Sequence, residues 1–144
     1  MATGQRIDPY KGFKFLVEID GIVQAGFSEC SGFGTSVDVV EYREGGDVST
    51  VRKLPGASKN DDITLKWGLT DSRELYDWHR AAVNGTIERK NGSIIVQDDT
   101  GTEKVRYNFF NAWPHKWTGP SLNAKGSEVA IDTLALACEG VVRA

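Results

Sequence analysis

Between Phe13 and Ile19 the chain reads FKFLVEI, with Phe13, Phe15, Val17 and Ile19 on one parity and Lys14 and Glu18 on the other. An apolar side alternating with a charged side at period two predicts a half-buried strand. Asp20-Gly21 follows, then IVQAGF, which predicts a tight turn and a second strand in a hairpin, the Asp-Gly pair supplying the positive φ angles. Residues 35–43, TSVDVVEYR, alternate less cleanly, but Val37, Val39 and Val40 favour an extended backbone. The cleanest alternation is DITLKWGL, where Ile63, Leu65, Trp67 and Leu69 oppose Asp62, Thr64 and Lys66.

At Asp71 the period changes. Asp71-Ser72-Arg73-Glu74 has the spacing of a capping box, Leu75, Trp78, His79, Ala82 and Val83 lie at helical intervals, and Asn84-Gly85 supplies a left-handed stop. Strands are then expected at 86–90 and 93–98 around a turn at Asn91-Gly92, and at 103–110 after the polar turn Asp98-Asp99-Thr100-Gly101. The segment 111–131, NAWPHKWTGPSLNAKGSEVAI, is too rich in Pro and Trp to predict a strand. The last strand, within EVAIDTLALACEG, is apolar on both parities from Leu134 and so expects cover on both faces. From Glu44 to Asn60 no element is predicted, and a structureless insertion of that length in a compact domain is usually functional or disordered. The pattern adds up to an all-β chain with one flanking α-helix, as two packed antiparallel sheets or a flattened β-barrel, in a single domain over 1–144. Such sheets have edges that must be blunted or paired with another subunit.

Composition narrows the function. The net charge is −3, which argues against a protein that neutralises phosphates, so no specific nucleic-acid binding is expected. The first fifteen residues lack the apolar run of a signal peptide and no stretch reaches a membrane span, so the expectation is a soluble chain, cytoplasmic on assembly, with no membrane insertion. Cys30 and Cys138 have no CxxC spacing and are expected as small buried hydrophobes. His79 and His115 lack a second ligand at metal spacing, no GxSxG turn exists, and SGFGTS and GGDVSTVRK lack the residues of a phosphate loop. No catalytic residue, cofactor or metal is expected, and no enzyme. Asn84-Gly85-Thr86 and Asn91-Gly92-Ser93 are sequons more simply read as a helix stop and a turn. Trp113 and Trp117 are amphipathic anchors that either close the end of the core or sit at a subunit contact.

Several fragments, in order, resemble the tail tube proteins of contractile phage tails and related phage-derived contractile injection systems: FLVEIDG at 15–21, FSECSGF at 27–33, YREGG at 42–46, KLPG at 53–56, ITLKWG at 63–68 and the whole of 111–131. Trp67-Gly68 departs from the arginine-glycine pair that the family pattern leads one to expect there. The resemblance implies the fold shared with the haemolysin-coregulated tube protein of type VI secretion. It also implies hexameric rings whose sheets join edge to edge, stacked into a hollow tube that conducts cargo or DNA when an outer sheath contracts. The 44–60 segment then looks like the element reaching the next ring. Arg43, Glu44, Arg52, Lys53 and Asp61 are candidates for ring-to-ring ion pairs, and Gly45, Gly46 and Pro55 for shaping the loop. Thr64 and Lys66, with Ser36, Asp38, Lys104, Arg106 and Asn108, are lumen-facing candidates. The implied partners are further copies of the chain, a sheath protein, baseplate and tube-terminating proteins, and cargo in the bore, whether in a phage tail or in a released or anchored particle. A different class, a small β-sandwich that binds carbohydrate or peptide through Trp113 and Trp117, remains open at this point.

Overall fold

A computed structural model describes residues 8–22, 26–43, 45–46 and 50–144. Its elements are β1 (Phe15–Ile19), β2 (Phe27–Ser31), β3 (Thr35–Tyr42), β4 (Arg52–Asn60), β5 (Ile63–Gly68), α1 (Glu74–Val83), β6 (Lys90–Gln97), β7 (Glu103–Thr118), β8 (Ile131–Ala137) and β9 (Gly140–Arg143). All pairings are antiparallel. The main strand order is β1-β6-β7-β8-β5-β2, with β9 on β7, and β3-β4 form a separate ribbon.

The long β7 makes two sheets out of one path. Its first half pairs with β6 and β9, its second half with β8. Between the two sheets lie Ile19, Ile94 and Phe109 from one, and Ile63, Leu65, Trp67, Leu134 and Leu136 from the other. These are the apolar parities that the alternation marks, and fully burying each such side chain contributes about 1.5–3 kcal/mol before entropy is subtracted. Trp67, which departs from the family pattern, is buried and meets Phe27 edge-on at 6.1 Å. The path does not close, because β1 and β2 stand at its two ends.

Several expectations are corrected. The Asp20-Gly21 turn exists, with Gly21 at φ 74° and Ile22 N–H donating to the Ile19 carbonyl at 3.0 Å. It does not make a hairpin: β1 pairs with β6 and β2 with β5, so the chain crosses between sheets and each strand meets the core from a different side. Residues 23–25 of the expected second strand lie outside the described residues. Asn91-Gly92 is no turn either, but lies within β6, where Gly92 pairs with both Ile19 and Phe109. A Cβ on Gly92 would fall on the Phe109 ring and the Glu18 carbonyl, so glycine serves a close approach there. The 86–89 segment is not a strand.

The capping box does not form: Arg73 is the N-cap of α1, and among the described residues it makes no side-chain cap hydrogen bond. Gly85, at φ 93°, does stop the helix as expected. Leu75 and Trp78 are buried, the Trp78 indole N–H donates to the Glu88 carbonyl at 2.7 Å, and His79 Nδ1–H donates to the Pro114 carbonyl at 3.1 Å. NAWPHKWT, expected to be irregular, is the second half of β7; a bulge between Pro114 and Lys116 accommodates the proline. On β8, Asp132, Leu134 and Leu136 are buried, while the small Thr133 and Ala135 on the other face are only half-covered. The last correction is the largest, since residues 52–60 are strand β4, not part of a structureless loop.

Candidate functional site

Strands β3 and β4 run antiparallel from Thr35 opposite Asn60 to Tyr42 opposite Arg52. Apart from Asn60, every residue of both strands is exposed. One face carries Val37, Val39 and Pro55; the other carries Val40, Tyr42 and Leu54. Val37 is 55% and Val39 63% exposed on the first, Val40 49% and Leu54 45% on the second, and both faces therefore show apolar surface to solvent. The extra residue on β4 opposite Asp38 shifts its parity, so that Ser58 faces with Val37 and Pro55 with Val39. At the base, Asp61 N–H donates to the Gly34 carbonyl at 2.9 Å, fixing the ribbon where it leaves the body. A lone two-stranded ribbon is marginal in water, and apolar side chains on both faces expect a covering surface.

The residues expected at a ring-to-ring contact are only partly brought together. Arg43, Gly45 and Gly46 follow β3 at the tip, Gly46 at φ 90°, and Arg52, Lys53 and Pro55 stand on β4. Glu44 lies outside the described residues. Asp61 sits at the base, nine residues from Arg52, which at ~3.3 Å per strand residue is roughly 30 Å away. It cannot share one contact with the tip.

The lumen-facing candidates fall on three surfaces. Thr64 and Lys66 lie on the outer face of the β2-β5-β8-β7 sheet, in the rows Ser31, Thr64, Ala135, Lys116 and Glu29, Lys66, Thr133, Thr118. Lys66 Nζ is 3.5 Å from Glu29 Oε2, which also accepts from Ser31 Oγ at 3.2 Å. These two rows are polar or charged apart from Ala135 and carry no large apolar side chain. Lys104, Arg106 and Asn108 lie on the outer face of the other sheet, where Arg106 binds Glu103 at 2.7 Å and Ser93 Oγ donates to Asn108 Oδ1 at 2.7 Å. That face also exposes Leu16, Phe110 and Val142. Ser36 and Asp38 are on the ribbon, Asp38 paired with Lys59 at 3.3 Å.

Trp113 and Trp117 do not stand as a pair: Trp117 packs edge-on against Tyr76 at 5.2 Å and Trp113 against His115 at 6.1 Å. His115 Nε2 lies 2.7 Å from Asp62 Oδ2 on the surface. Among the described residues no group of three or more His, Cys, Asp or Glu could hold a metal ion, and no helix is long and apolar enough to cross a membrane. Cys30 and Cys138 are free and pack against the core; burial, then the charge of Glu29, pushes the Cys30 thiol up to about 12. Sequence reasoning missed the arm's own apolar residues and the buried Asp132. The signal for the first was present, since Val39 and Val40 put apolar groups on both parities.

The geometry is that of a subunit with an uncovered arm and a polar sheet face, and the comparisons agree with it. No curated protein matches the chain. Among solved structures, a chain of the sheath–tube complex of PVC, an extracellular contractile injection system in its extended state, is 31% identical, with TM-score 0.83 over 94% of this chain and 91% of that one. A chain of the anti-feeding prophage (AFP) baseplate superposes with TM-score 0.87 over 96% and 97% at 20% identity, a likeness of fold. Hcp1 from Flavobacterium johnsoniae has the same fold in outline, TM-score 0.53 over 89% and 94% at 15% identity. The family model described as T4-like virus tail tube protein gp19 matches residues 11–142, and the chain belongs to that family of tail tube proteins.

Proposed function

We propose that this chain is a structural subunit of the inner tube of a contractile tail or injection system, forming hexameric rings that stack into a hollow conduit. The observation that carries the reading is the β3–β4 ribbon, exposed along both strands with Val37, Val39, Val40, Tyr42 and Leu54 uncovered. In a ring, open strand edges such as those of β1 and β2 pair with neighbours, and in a stack the arm docks on the next ring. The family supports this, and the sheath–tube and baseplate assemblies that hold its relatives supply two partner classes, a sheath outside and a baseplate at one end; terminating proteins, and cargo or DNA in the bore, complete the reading.

Of the two outer sheet faces, the β2-β5-β8-β7 face with Thr64 and Lys66 lines the bore. A moving polymer needs a wall of small polar groups to which it does not adhere. The opposite face, with Leu16, Phe110 and Val142 exposed, belongs against neighbouring protein, which moves Lys104, Arg106 and Asn108 out of the lumen. Residues 1–144 act as one domain, assembly is cytoplasmic, and the role is mechanical without turnover.

Negative-stain images and sedimentation of the purified chain test this reading, with rings and tubes expected. Replacing residues 41–53 by Asn-Gly keeps the base of the ribbon and closes it with a two-residue turn; rings without long tubes are expected. A wild-type chain that stays monomeric at high concentration overturns the proposal.

A further inference from the structure

The end of β5 remote from the arm holds a second unsatisfied feature. Leu69, Thr70, Arg73, Tyr76, Trp117 and Asp132 line a cleft of about 340 Å³. Asp132 is 7% exposed, and among the described residues its Oδ1 has no hydrogen-bond partner. Unpartnered buried carboxylate oxygens are rare and costly, and each asks for an explanation. Burial pushes the Asp132 carboxyl above its ordinary value, with a polar contact from Trp117 offsetting part of the effect. Arg73 is the one cation among the lining residues, but it is turned to Asp77 at 3.4 Å and lies over the Tyr76 ring at 5.7 Å. The walls are aromatic: Tyr76 and Trp117 meet at 5.2 Å and 76°. A carboxylate beside aromatic rings in a half-open cleft is the chemistry that takes an ammonium or guanidinium group.

The topology says where that cation comes from. The arm leaves the body at Asn60, just before Ile63, whereas Trp67, paired with Asp132, stands near the far end of the same strand. Arm and cleft therefore occupy opposite ends of one sheet, as the two halves of a head-to-tail contact must. On the arm, Lys59 is paired with Asp38, but among the described residues Arg43 and Lys53 have no carboxylate within ion-pair distance.

We propose that the Asp132 cleft is the receptor for a basic side chain, Lys53 or Arg43, from the arm of the next copy in the stack. This rests on the tube reading above. The arriving cation replaces the missing partner of Oδ1, so the cleft is strained in the free subunit and satisfied in the tube.

The test compares wild type, Asp132→Asn, the double variant Arg43→Met/Lys53→Met, and all three changes combined, by the protein concentration at which tubes appear. Asp132→Asn is expected to fold and melt no lower than wild type at neutral pH, yet to need at least tenfold more protein for tubes. The arm variant is expected to show a similar loss, and the combination to be no worse than either. Tubes at the wild-type concentration from Asp132→Asn, or losses that simply add, overturn the proposal while leaving the tube reading intact. Wild-type protein without tubes overturns both. Should Asp132→Asn fail to fold, Lys53→Cys combined with Ser72→Cys at the cleft rim decides the matter. Oxidation of its tubes should give a ladder of trimers and longer products, and dimers alone or no product would overturn the contact.

Discussion

The arm makes a prediction that separates subunit stability from assembly. Val37 and Val39 share one face of the ribbon and are 55% and 63% exposed. Replacing both by Thr keeps the β-branched shape and the strand preference. Each change exchanges a methyl group, about 0.8 kcal/mol of burial, for a hydroxyl that must be dried when a neighbour covers it. About 1 kcal/mol or more is expected per site, and ~2 kcal/mol for the pair corresponds to a factor of roughly 30 in the association constant. In the free subunit the same side chains are already largely in water, so its urea midpoint should stay within the error of the measurement. Tube onset followed by light scattering should move to about 30-fold higher concentration by the same arithmetic. A parallel loss of subunit stability would show that the arm folds back on its own body. Unchanged assembly would show that this face is not a contact. Either result refutes the reasoning.

Further outcomes follow from the core and the titrating groups. Gly92→Ala should destabilise the subunit by about 1–3 kcal/mol in urea unfolding, because the fully buried Phe109 ring has to yield to the new methyl group. The raised Asp132 pKa means that the folded free subunit holds a proton more tightly than the unfolded chain. Its melting temperature should therefore decline as pH rises from the ordinary carboxylate value of 3.8 through the raised one, and Asp132→Asn should flatten that decline. Asp98 has the opposite sign. It accepts from Thr100 Oγ1 at 2.6 Å and from the Thr102 and Thr100 N–H groups, which hold its carboxyl below the usual range; stability should fall as pH drops through that lowered value, and Asp98→Ala should remove the dependence. Cys30, pushed to about 12 from 9.0, should react with a thiol reagent about a thousandfold more slowly in the native subunit than in urea, as its thiolate fraction dictates.

Where the sequence was legible, a local period decided the structure. DITLKWG alternates because one side faces Leu134, Phe109 and their neighbours, and β5 has the predicted alternation of buried and half-buried residues, whereas Leu69, expected on the same side, lies past the strand and is exposed. Gly85 stops α1 because only a residue tolerant of positive φ fits there. Partner choice was not legible. Asp20-Gly21 marks a turn, but nothing local says that β1 will pair with β6, whose partner residues lie 73 to 81 positions on, and β2 with β5. Asn91-Gly92 carries a turn signature, yet the reason for Gly92 is a phenylalanine ring seventeen positions later. In KLPGASKN, Pro55 and Gly56 disfavour a strand. They are tolerated because the ribbon is bulged there and, among the described residues, has no third strand to bond. Asp132 was hidden for a similar reason: an aspartate at the start of an apolar run reads as a solvent-side residue until Trp117 and Tyr76 are placed over it.

The ribbon's isolation also bears on how a tube of such subunits grows. Ordering β3 and β4 costs conformational entropy that a two-stranded pairing in water barely offsets. The arm's full ordering is therefore coupled to docking, and the first inter-ring contact carries that cost alone. A ring presents one receptor cleft per subunit in fixed register, so each later arm meets a prepared surface and its closure is effectively intramolecular. Nucleation is slow and elongation fast on this argument, and rings accumulate before tubes. In the proposed tube, lateral closure and axial stacking also use different parts of the chain, strand edges for the ring and the arm for the stack. Changes in the arm should then lengthen the lag before tubes appear without altering ring assembly, a separation that a single shared interface could not give.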